Sequence, residues 1–586
     1  MCGILAIIDP RRTGSVARHA RRAEILLDRL AHRGPDGRDT LALPHAWLGH
    51  RRLAIVDPVG GTQPFRRDGV AWIANGEIFN HTELRAELGL TGISDSDCAV
   101  IGPAWQLFGS RLPERLDGQF SFVATDERTG HWIAARDHVG VCPLYFGRHT
   151  DGTLWFASEM KALVDDCVHV ELVPPGYAWI GDAAGVRQVR WYDPAWQHEI
   201  PSTPADLERI RETLKAAVIK RLMSDVPWGL LLSGGLDSSL IAAIAVRHAR
   251  EHGLNGGRPI DTFSIGLEGA PDLLAARQVA RFLGTRHHEF TFTLDEALAA
   301  VPVVVRHLES YQQIRTGVPT YLLAKRIRDL GVKMVLSGEG ADELLGGYLY
   351  FHRAPDAAEF HRETVRKVTR LHQFDVMRAD KAPMAAGVEI RVPFLDREFV
   401  DLAMSLDPRE KMIDPSLRPD GRRSCIEKYL LRKAFDEPRD PWLPDSILWR
   451  QKEQFSDGVG YGWVDYLREY ADRRLPADAW EARERTYPED TPATPELYWM
   501  RELFEQYFVV GQAESVEKAA GRSPLATVGT GRSIACSTPE ALAWDPAWSR
   551  SGGDISGRMI AGVHTGAMTT MLAIEASTGE RCRLSA

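Results

Sequence analysis

From Ala205 to Met223 the apolar residues Leu207, Ile210, Leu214, Val218 and Leu222 recur at helical spacing on one face. The pattern then shortens. Leu230-Leu231-Leu232, flanked by Trp228-Gly229, predict a brief buried strand, Ser233-Gly234-Gly235 turn the chain, and Leu236 to Arg250 has helical composition, ending near Gly253. The alternation continues through a strand over Asp261–Leu267, a helix over Leu273–Leu283, and a strand over His287–Phe292. A helix over Val318–Leu330 and a strand over Val332–Gly338 follow. Strands alternating with helices predict a parallel α/β sheet, whose ligands bind at the carboxyl ends of the strands. Ser233-Gly234, Ile265-Gly266 and Ser337-Gly338 fall at such ends.

Upstream the periods are those of strands. Ile4 to Ile8 and the run Leu53 to Val56 read as short apolar strands, and Trp72 to Asn80 has strand composition around an Asn75-Gly76 turn. Ser94 to Cys98 opens a helix, with aspartates suited to capping. Proline and glycine punctuation between residues 180 and 206 predicts a domain boundary near 195–205.

Length and composition set the class. A chain of 586 residues is too long for one core. Its 26% charged and 44% hydrophobic residues are those of a soluble globular protein. A formal net charge of −9 argues against nucleic acid or an acidic membrane as partner. No apolar run approaches the ~20 residues of a membrane span, and Arg11-Arg12 interrupt the N-terminal apolar stretch before it becomes a signal core. The seven cysteines show no CxxC pairs and suggest neither a disulfide framework nor a zinc site, which fits a reducing cytoplasm.

Two stretches carry phosphate chemistry. In Ser233-Gly234-Gly235-Leu236-Asp237-Ser238-Ser239 the glycines admit an anion to the backbone, the following helix offers free N–H groups, and Ser233, Ser238 and Ser239 add hydroxyls. No Gly-Lys-Ser/Thr closes the loop, so this is not the Walker pattern. Ser337-Gly338-Glu339-Gly340-Ala341-Asp342-Glu343 gathers three carboxylates at another strand end. Carboxylates beside a phosphate site call for a cation, which favours magnesium with Asp237 as one ligand. Ser424 to Arg432 reads as an ordinary amphipathic helix.

The N-terminus carries different chemistry. Once Met1 is removed, Cys2 holds a thiol and an α-amine on one residue, and an amine of pKa ~7.7–8.0 serves as base to a thiol of ~8.5. Asn75-Gly76 offers an amide and a backbone N–H to a developing oxyanion. Arg52 has the fork to grip a carboxylate. His32 and His50 read as scaffold.

These motifs, in this order, resemble known families. The loop from Ser233 is similar to that of N-type ATP pyrophosphatases, and residues 2 to about 180 resemble the glutaminase domain of class II glutamine amidotransferases. The whole set, from residue 2 to about 567, resembles glutamine-dependent asparagine synthetase of the B type. The resemblance implies two α/β domains: an α-β-β-α N-terminal-nucleophile sandwich over 1–200 and a doubly wound parallel sheet over 205–515, with 516–586 as a mobile tail. It makes Cys2 the nucleophile and Asn75 with Gly76 the oxyanion hole. Arg52, Glu77 and Asp97, with the backbone of Leu53, Ile55 and Val56, would hold glutamine. Leu231, Ser233, Gly234, Gly235, Asp237, Ser238, Ile265, Ser337 and Gly338 would bind ATP, and Asp237 and Asp342 would bind Mg2+. Glu339 would assist at the acyl-adenylate and Lys452 would steady charge on the phosphates. A homodimer is implied by the same analogy.

One segment departs from the family. Where relatives carry Asp-Val-Thr-Thr before Ile-Arg and Ala-Ser after it, this chain reads Gln312-Gln313-Ile314-Arg315-Thr316-Gly317-Val318, two residues shorter. The expected acceptor is L-aspartate, giving L-asparagine, and the shortened loop opens the alternative of another carboxylic acid in specialised metabolism. A sugar-phosphate amidotransferase lacks the adenylylating loop, and a β-lactam synthetase type or a non-catalytic relative lacks the Cys2 nucleophile or that loop; both features are present here.

Overall fold

A computed structural model describes residues 1–182, 185–413, 426–452, 458–508, 541 and 543–544. The tail expected over 516–586 thus lies almost wholly outside the described residues, as do Ser424 and Cys425.

Two antiparallel six-stranded sheets stack in the N-terminal third. In spatial order the first holds His169–Leu172, Tyr145–Arg148, Leu154–Ala157, Gly3–Ile8, Ala46–Arg52 and Gly37–Ala42. The second holds Gly185–Arg190, Tyr177–Asp182, Trp132–Arg136, Gly118–Asp126, Val70–Ile78 and Phe65–Arg67. Strand alternation explains the layering. Ile4, Ala6 and Ile8 point between the sheets, against Ile73, Val123 and Ala134. Leu5 and Ile7 point the other way, into a core shared with Leu26 and Leu27 of the helix Val16–Asp28. Trp72, Phe120 and Phe122 cover the outer face of the second sheet with the helix Ile101–Phe108. The result is helix, sheet, sheet, helix.

Asn75-Gly76 is not a turn. Val70–Ile78 runs as one strand, with Asn75 opposite Ser121 and Gly76 opposite Phe120. Its flanks pair with a strand equally long, so the dipeptide has no reversal to make. Gly76 is needed for another reason: its φ is +138°, and a Cβ there would lie 2.0 Å from the Gln119 carbonyl. The aspartate near the next helix also differs from expectation. Asp97 does not cap its own helix; its carboxylate accepts the Ile78 N–H at 2.7 Å.

The second region is a five-stranded parallel sheet in the order Arg286–Thr291, Asp261–Gly266, Trp228–Leu231, Met334–Leu336, Glu389–Arg391. The helices Leu207–Lys220, Leu236–Glu251 and Pro271–Leu283 lie close to their sequence-read bounds. The fifth strand, at three residues, was too short to carry a period. The helix expected from Val318 starts earlier, at Ile314, with Pro319 inside it. Proline takes away the N–H that would serve the Arg315 carbonyl. The Trp463 indole supplies the missing donor, at 2.9 Å.

Buried ions join the two regions. Arg33, fully buried, donates to Asp380 at 2.8 and 3.0 Å, to Glu159 at 3.0 Å and to the Cys2 carbonyl at 2.9 Å. Lys381 donates to Tyr145 and Glu309, both at 2.6 Å, and Gln119 donates to the Ile390 carbonyl at 3.2 Å. Removing one member of such a set strands the others. Arg33→Ala is therefore expected to lose about 3–5 kcal/mol of stability in chemical denaturation, with Arg33→Lys intermediate; a loss below about 1 kcal/mol would contradict this reading.

Candidate active sites

Cys2 sits at the head of the strand Gly3–Ile8, deep in the N-terminal sandwich. Its thiol receives the Leu53 N–H at 3.4 Å, and its backbone N–H donates to Asn75 Oδ1 at 2.6 Å. Burial pushes the thiol pKa up; the nearby terminal ammonium, the Leu53 N–H and Arg52 pull against it. Asn75 is fully buried, and its Nδ2 has no hydrogen-bond partner among the described residues. A buried donor left open is costly unless a ligand takes it, so Asn75 offers an N–H to an incoming oxygen beside the sulfur. With Met1 in place, the Met1 ammonium ion-pairs with Glu389 and its sulfur lies 3.6 Å from Cys142 Sγ.

Arg52 bends over the following loop and donates to the carbonyls of Pro58 at 3.0 Å, Val56 at 3.3 Å and Asp57. That grip folds Leu53, Ile55 and Val56 against the Cys2 side of the sandwich, with Leu53 and Ile55 buried. Glu77 and Asp97 come together nearby. Burial lifts the Glu77 carboxyl to about 7; Arg391, at 3.0 Å, opposes that and Asp97 adds to it. Behind the site His50 is buried on the Ala74 carbonyl at 3.2 Å and held neutral, its pKa pushed down to about 3 by burial. Both histidines read as scaffold lie here or close by, with His32 on Glu159 at 3.1 Å.

The second site lies at the carboxyl ends of the parallel strands. A cavity of about 210 Å³ is lined by Leu231, Ser233, Gly235, Asp237, Ser238 and Ile265 on one side and by Ser337, Gly338, Glu339 and Asp342 on the other. Ser233 and Ser238 hydroxyls meet at 3.0 Å. Gly338 lets the two loops touch: a Cβ there would sit 2.6 Å from the Ser238 nitrogen. Gly234 borders the loop through its carbonyl, which accepts from Arg450 at 3.1 Å.

The charge balance differs from the sequence reading. The carboxylates are already matched by basic side chains. Lys428 Nζ donates to Asp237 at 2.6 and 2.8 Å and to Asp342 at 2.8 Å, and Lys452 pairs with Asp342 at 2.6 Å. Burial raises the Asp342 pKa, but the two lysines outweigh it and hold the carboxyl well below its usual range. Glu339 faces Arg378 at 2.9 Å. Glu343 is buried with Tyr348, its pKa lifted by burial and by Asp375 and Asp342 to about 8.

Sequence reasoning chose Lys452 and missed Lys428, Arg450 and Asp272. Lys428 belonged to the segment read as an amphipathic helix. In the structure it lies in a turn at φ +55°, ahead of a helix that starts only at Tyr429. No spacing rule marks such a residue. Arg450 stands two positions before Lys452 and pairs with buried Asp272 at 3.0 Å. The departing loop contributes too: Gln313, Thr316 and Thr320 line the cavity, while Arg315 is tied to Glu496 at 2.6 and 2.8 Å.

Known proteins resemble the chain over its whole length. A family profile described as asparagine synthase matches residues 209–359 and 355–530, and one described as a glutamine amidotransferase domain matches residues 1–176. Asparagine synthetase [glutamine-hydrolyzing] 2 of Arabidopsis thaliana is 49% identical over 575 residues, covering 97% of this chain and 96% of that protein. The asparagine synthetase of Asparagus officinalis is 48% identical over 591 residues, covering 99% and 96%. That of Zea mays is 47% identical over 582 residues, covering 98% and 95%.

The buried neutral His50 makes an acid-side prediction. Its folded pKa near 3 lies below the unfolded value of about 6.5, so the unfolded chain binds the extra proton and stability falls as pH drops between those values. His50→Gln should flatten that fall by roughly 1 kcal/mol per pH unit, seen as a smaller loss of denaturation midpoint from pH 6.5 to 5; an unchanged slope contradicts it.

Proposed function

The chain belongs to the glutamine-hydrolysing asparagine synthetase family, and from that premise we propose how its residues divide the reaction. The overall activity is glutamine-dependent, ATP-driven amidation of a carboxylate. The observation that carries the proposal is the convergence of Asp237, Asp342, Lys428 and Lys452 on the Ser233–Ser239 loop, in the chain whose other site holds Cys2 beside the open Asn75 amide.

Removal of Met1 turns the Cys2 amide into an α-amine, the base the thiol needs. The thiolate attacks the side-chain amide carbon of glutamine, and Asn75 Nδ2 with the Gly76 N–H receives the oxyanion. Ammonia leaves, a glutamyl thioester remains, and water releases glutamate. Arg52 takes the glutamine carboxylate; Glu77 and Asp97 take its α-ammonium.

At the second site Leu231, Ile265, Ser337 and Gly338 hold the adenosine part of ATP. Ser233, Gly234, Gly235 and Ser238 hold the departing pyrophosphate. The acceptor carboxylate attacks the α-phosphorus, giving acyl adenylate and pyrophosphate. Lys452 and Lys428 balance the charge that builds on the phosphate oxygens. Ammonia then attacks the acyl carbon and AMP leaves, with Glu339, oriented by Arg378, beside the reacting carbonyl. Asp237 and Asp342 suit Mg2+: both carboxylates already converge on a single cationic atom, Lys428 Nζ, at 2.6 and 2.8 Å. When bound there, the ion neutralises pyrophosphate charge.

L-Aspartate is the acceptor we propose. A second reading has one specific support, the shortened Gln312–Val318 segment with Arg315 turned to Glu496. AMP and pyrophosphate release with glutamine and ATP, with and without L-aspartate, separates the two, with the amide read by mass spectrometry. Aspartate-dependent AMP matched by asparagine supports the first. Glutamine hydrolysis with no aspartate-dependent AMP overturns it and favours another carboxylic acid. By kinship the proposal extends to a cytoplasmic homodimer; no described helix is long and apolar enough to cross a membrane.

Two variants check the residue roles. Cys2→Ala should abolish glutamine-driven AMP formation but leave AMP formation driven by ammonium salts. Asn75→Ala should cut glutaminase kcat about 10²–10³-fold, with ammonia-driven turnover preserved. Equal loss of both activities would contradict the division of labour.

A further inference from the structure

Among residues that belong to neither site, two histidines and an aspartate meet on the outer side of the first sheet. His19 lies on the helix Val16–Asp28; His149 and Asp151 lie in the turn between the strands Tyr145–Arg148 and Leu154–Ala157. Asp151 receives His19 Nε2 at 2.7 Å on one oxygen and His149 Nδ1 at 2.9 Å on the other. One donor atom from each residue lies within 4.8 Å of the others. The imidazole rings stand 4.5 Å apart at 69°.

The surroundings orient these groups. Trp155 stacks on His149 at 5.8 Å and meets the edge of His19 at 5.2 Å. Thr153 donates to the His149-facing oxygen of Asp151 through its N–H at 3.0 Å and its hydroxyl at 2.8 Å, and that hydroxyl receives the Trp155 indole N–H at 2.9 Å. His149 Nδ1 faces the cluster, 2.9 Å from the Asp151 carboxylate. Burial works against the Asp151 anion, but Thr153 and the histidines hold its carboxyl well below the usual range. The three side chains are 12%, 22% and 20% exposed, so an ion has a route in and room for water.

We propose that His19, His149 and Asp151 form a structural site for a borderline divalent metal ion such as Zn2+, pinning the helix Val16–Asp28 to the turn at residues 149–153. Two imidazoles and one carboxylate are a donor set zinc accepts, and water completes the tetrahedron. Zinc at ~2.0–2.1 Å from each donor needs donor separations of roughly 3.3 Å, so the present contacts open by about half an ångström while their protons leave. Thr153 and Trp155 play the orienting part that metal ligands need behind them. The site contains no cysteine and joins residues 130 positions apart in the chain (His19 to His149), so no local motif marks it.

A similar triad does not pass the same test. His32, Glu159 and His307 also bring three donor atoms within 4.8 Å. There Glu159 is already paired with Arg33 at 3.0 Å and with Lys161, so a dication would face two fixed cations. The nearest basic groups at the outer cluster differ: Arg11 reaches the Gly152 turn, and Arg22 is occupied by Asp165 and Asp166.

The test uses the tag-free full-length chain, stripped with a chelator. Zn2+ titration by calorimetry should give one site per chain, and Co2+ should give the visible absorption of a tetrahedral ion. The His19→Ala/His149→Ala double variant should lose that absorption and bind Zn2+ at least tenfold more weakly. His19→Asn alone, a milder change, should also weaken binding at least tenfold. Unchanged circular dichroism and glutaminase activity establish that the variants fold. Zn2+ should raise the melting temperature of the parent chain by about 5 °C and leave the double variant unmoved. No stoichiometric site in the parent, or undiminished binding and Co2+ absorption in the double variant, would overturn the proposal.

Discussion

One buried guanidinium sets the frame for everything else. Arg33 holds the carbonyl of Cys2, the Glu159 carboxylate and both oxygens of Asp380 at once. Such a charge survives in the interior only when its hydrogen bonds are filled, and each partner is stranded if another moves. The backbone of Cys2 is thereby referenced to a helix of the other half of the molecule. Lys381, next to Asp380, repeats the arrangement through Tyr145 and Glu309. Because these contacts are ionic and directional, they specify a relative position that apolar packing alone would leave looser.

The ATP half meets a related demand by another route. Its loops bring carboxylates together at the carboxyl ends of the parallel strands, and like charges at that range repel. Lys428 and Lys452 answer within the chain, so the acidic pair is compensated before any ligand arrives. Lys428 carries most of that compensation, since its ammonium touches both aspartates at once. Glu343 takes a different course: burial, with Asp375 and Asp342 close by, raises its pKa to about 8 beside Tyr348. Three carboxylates in one sequence motif thus reach three different charge environments.

How much of this could be read from the chain depended on whether a signal was local. The phosphate loop is local: a hydrophobic strand, a glycine turn and a helix start in ten residues, and each lies near its expected bounds. Cys2 was visible from its place after Met1, but the Leu53–Val56 run, read as a strand from its apolar residues, is the loop that follows the strand Ala46–Arg52; its apolar side chains are buried by packing rather than by sheet pairing. Asn75-Gly76 was misread as a turn, because an Asn-Gly pair signals one only when its flanking strands pair with each other; here they pair with Gly118–Asp126. Lys428, Asp272 and Arg33 were invisible as site members, since their partners lie 191, 178 and 347 positions away. The three-residue strand Glu389–Arg391 and the early start at Ile314 were set by neighbours, one by Met334–Leu336 and one by Trp463.

The bond from the Trp463 indole to the Arg315 carbonyl has a consequence for how this enzyme type diversifies. Other ties run to the same C-terminal stretch: Arg315 reaches Glu496, and Tyr311, just ahead of the segment, reaches Asp490 and meets the Phe504 ring edge-on. The short loop beside the cavity is therefore not an independent cassette. Loop and C-terminal helices make one inheritable part, so a loop transplanted alone between relatives would arrive with its anchors missing. A change in the segment near residue 315 must therefore be matched by the residues near 463 and 496 that anchor it.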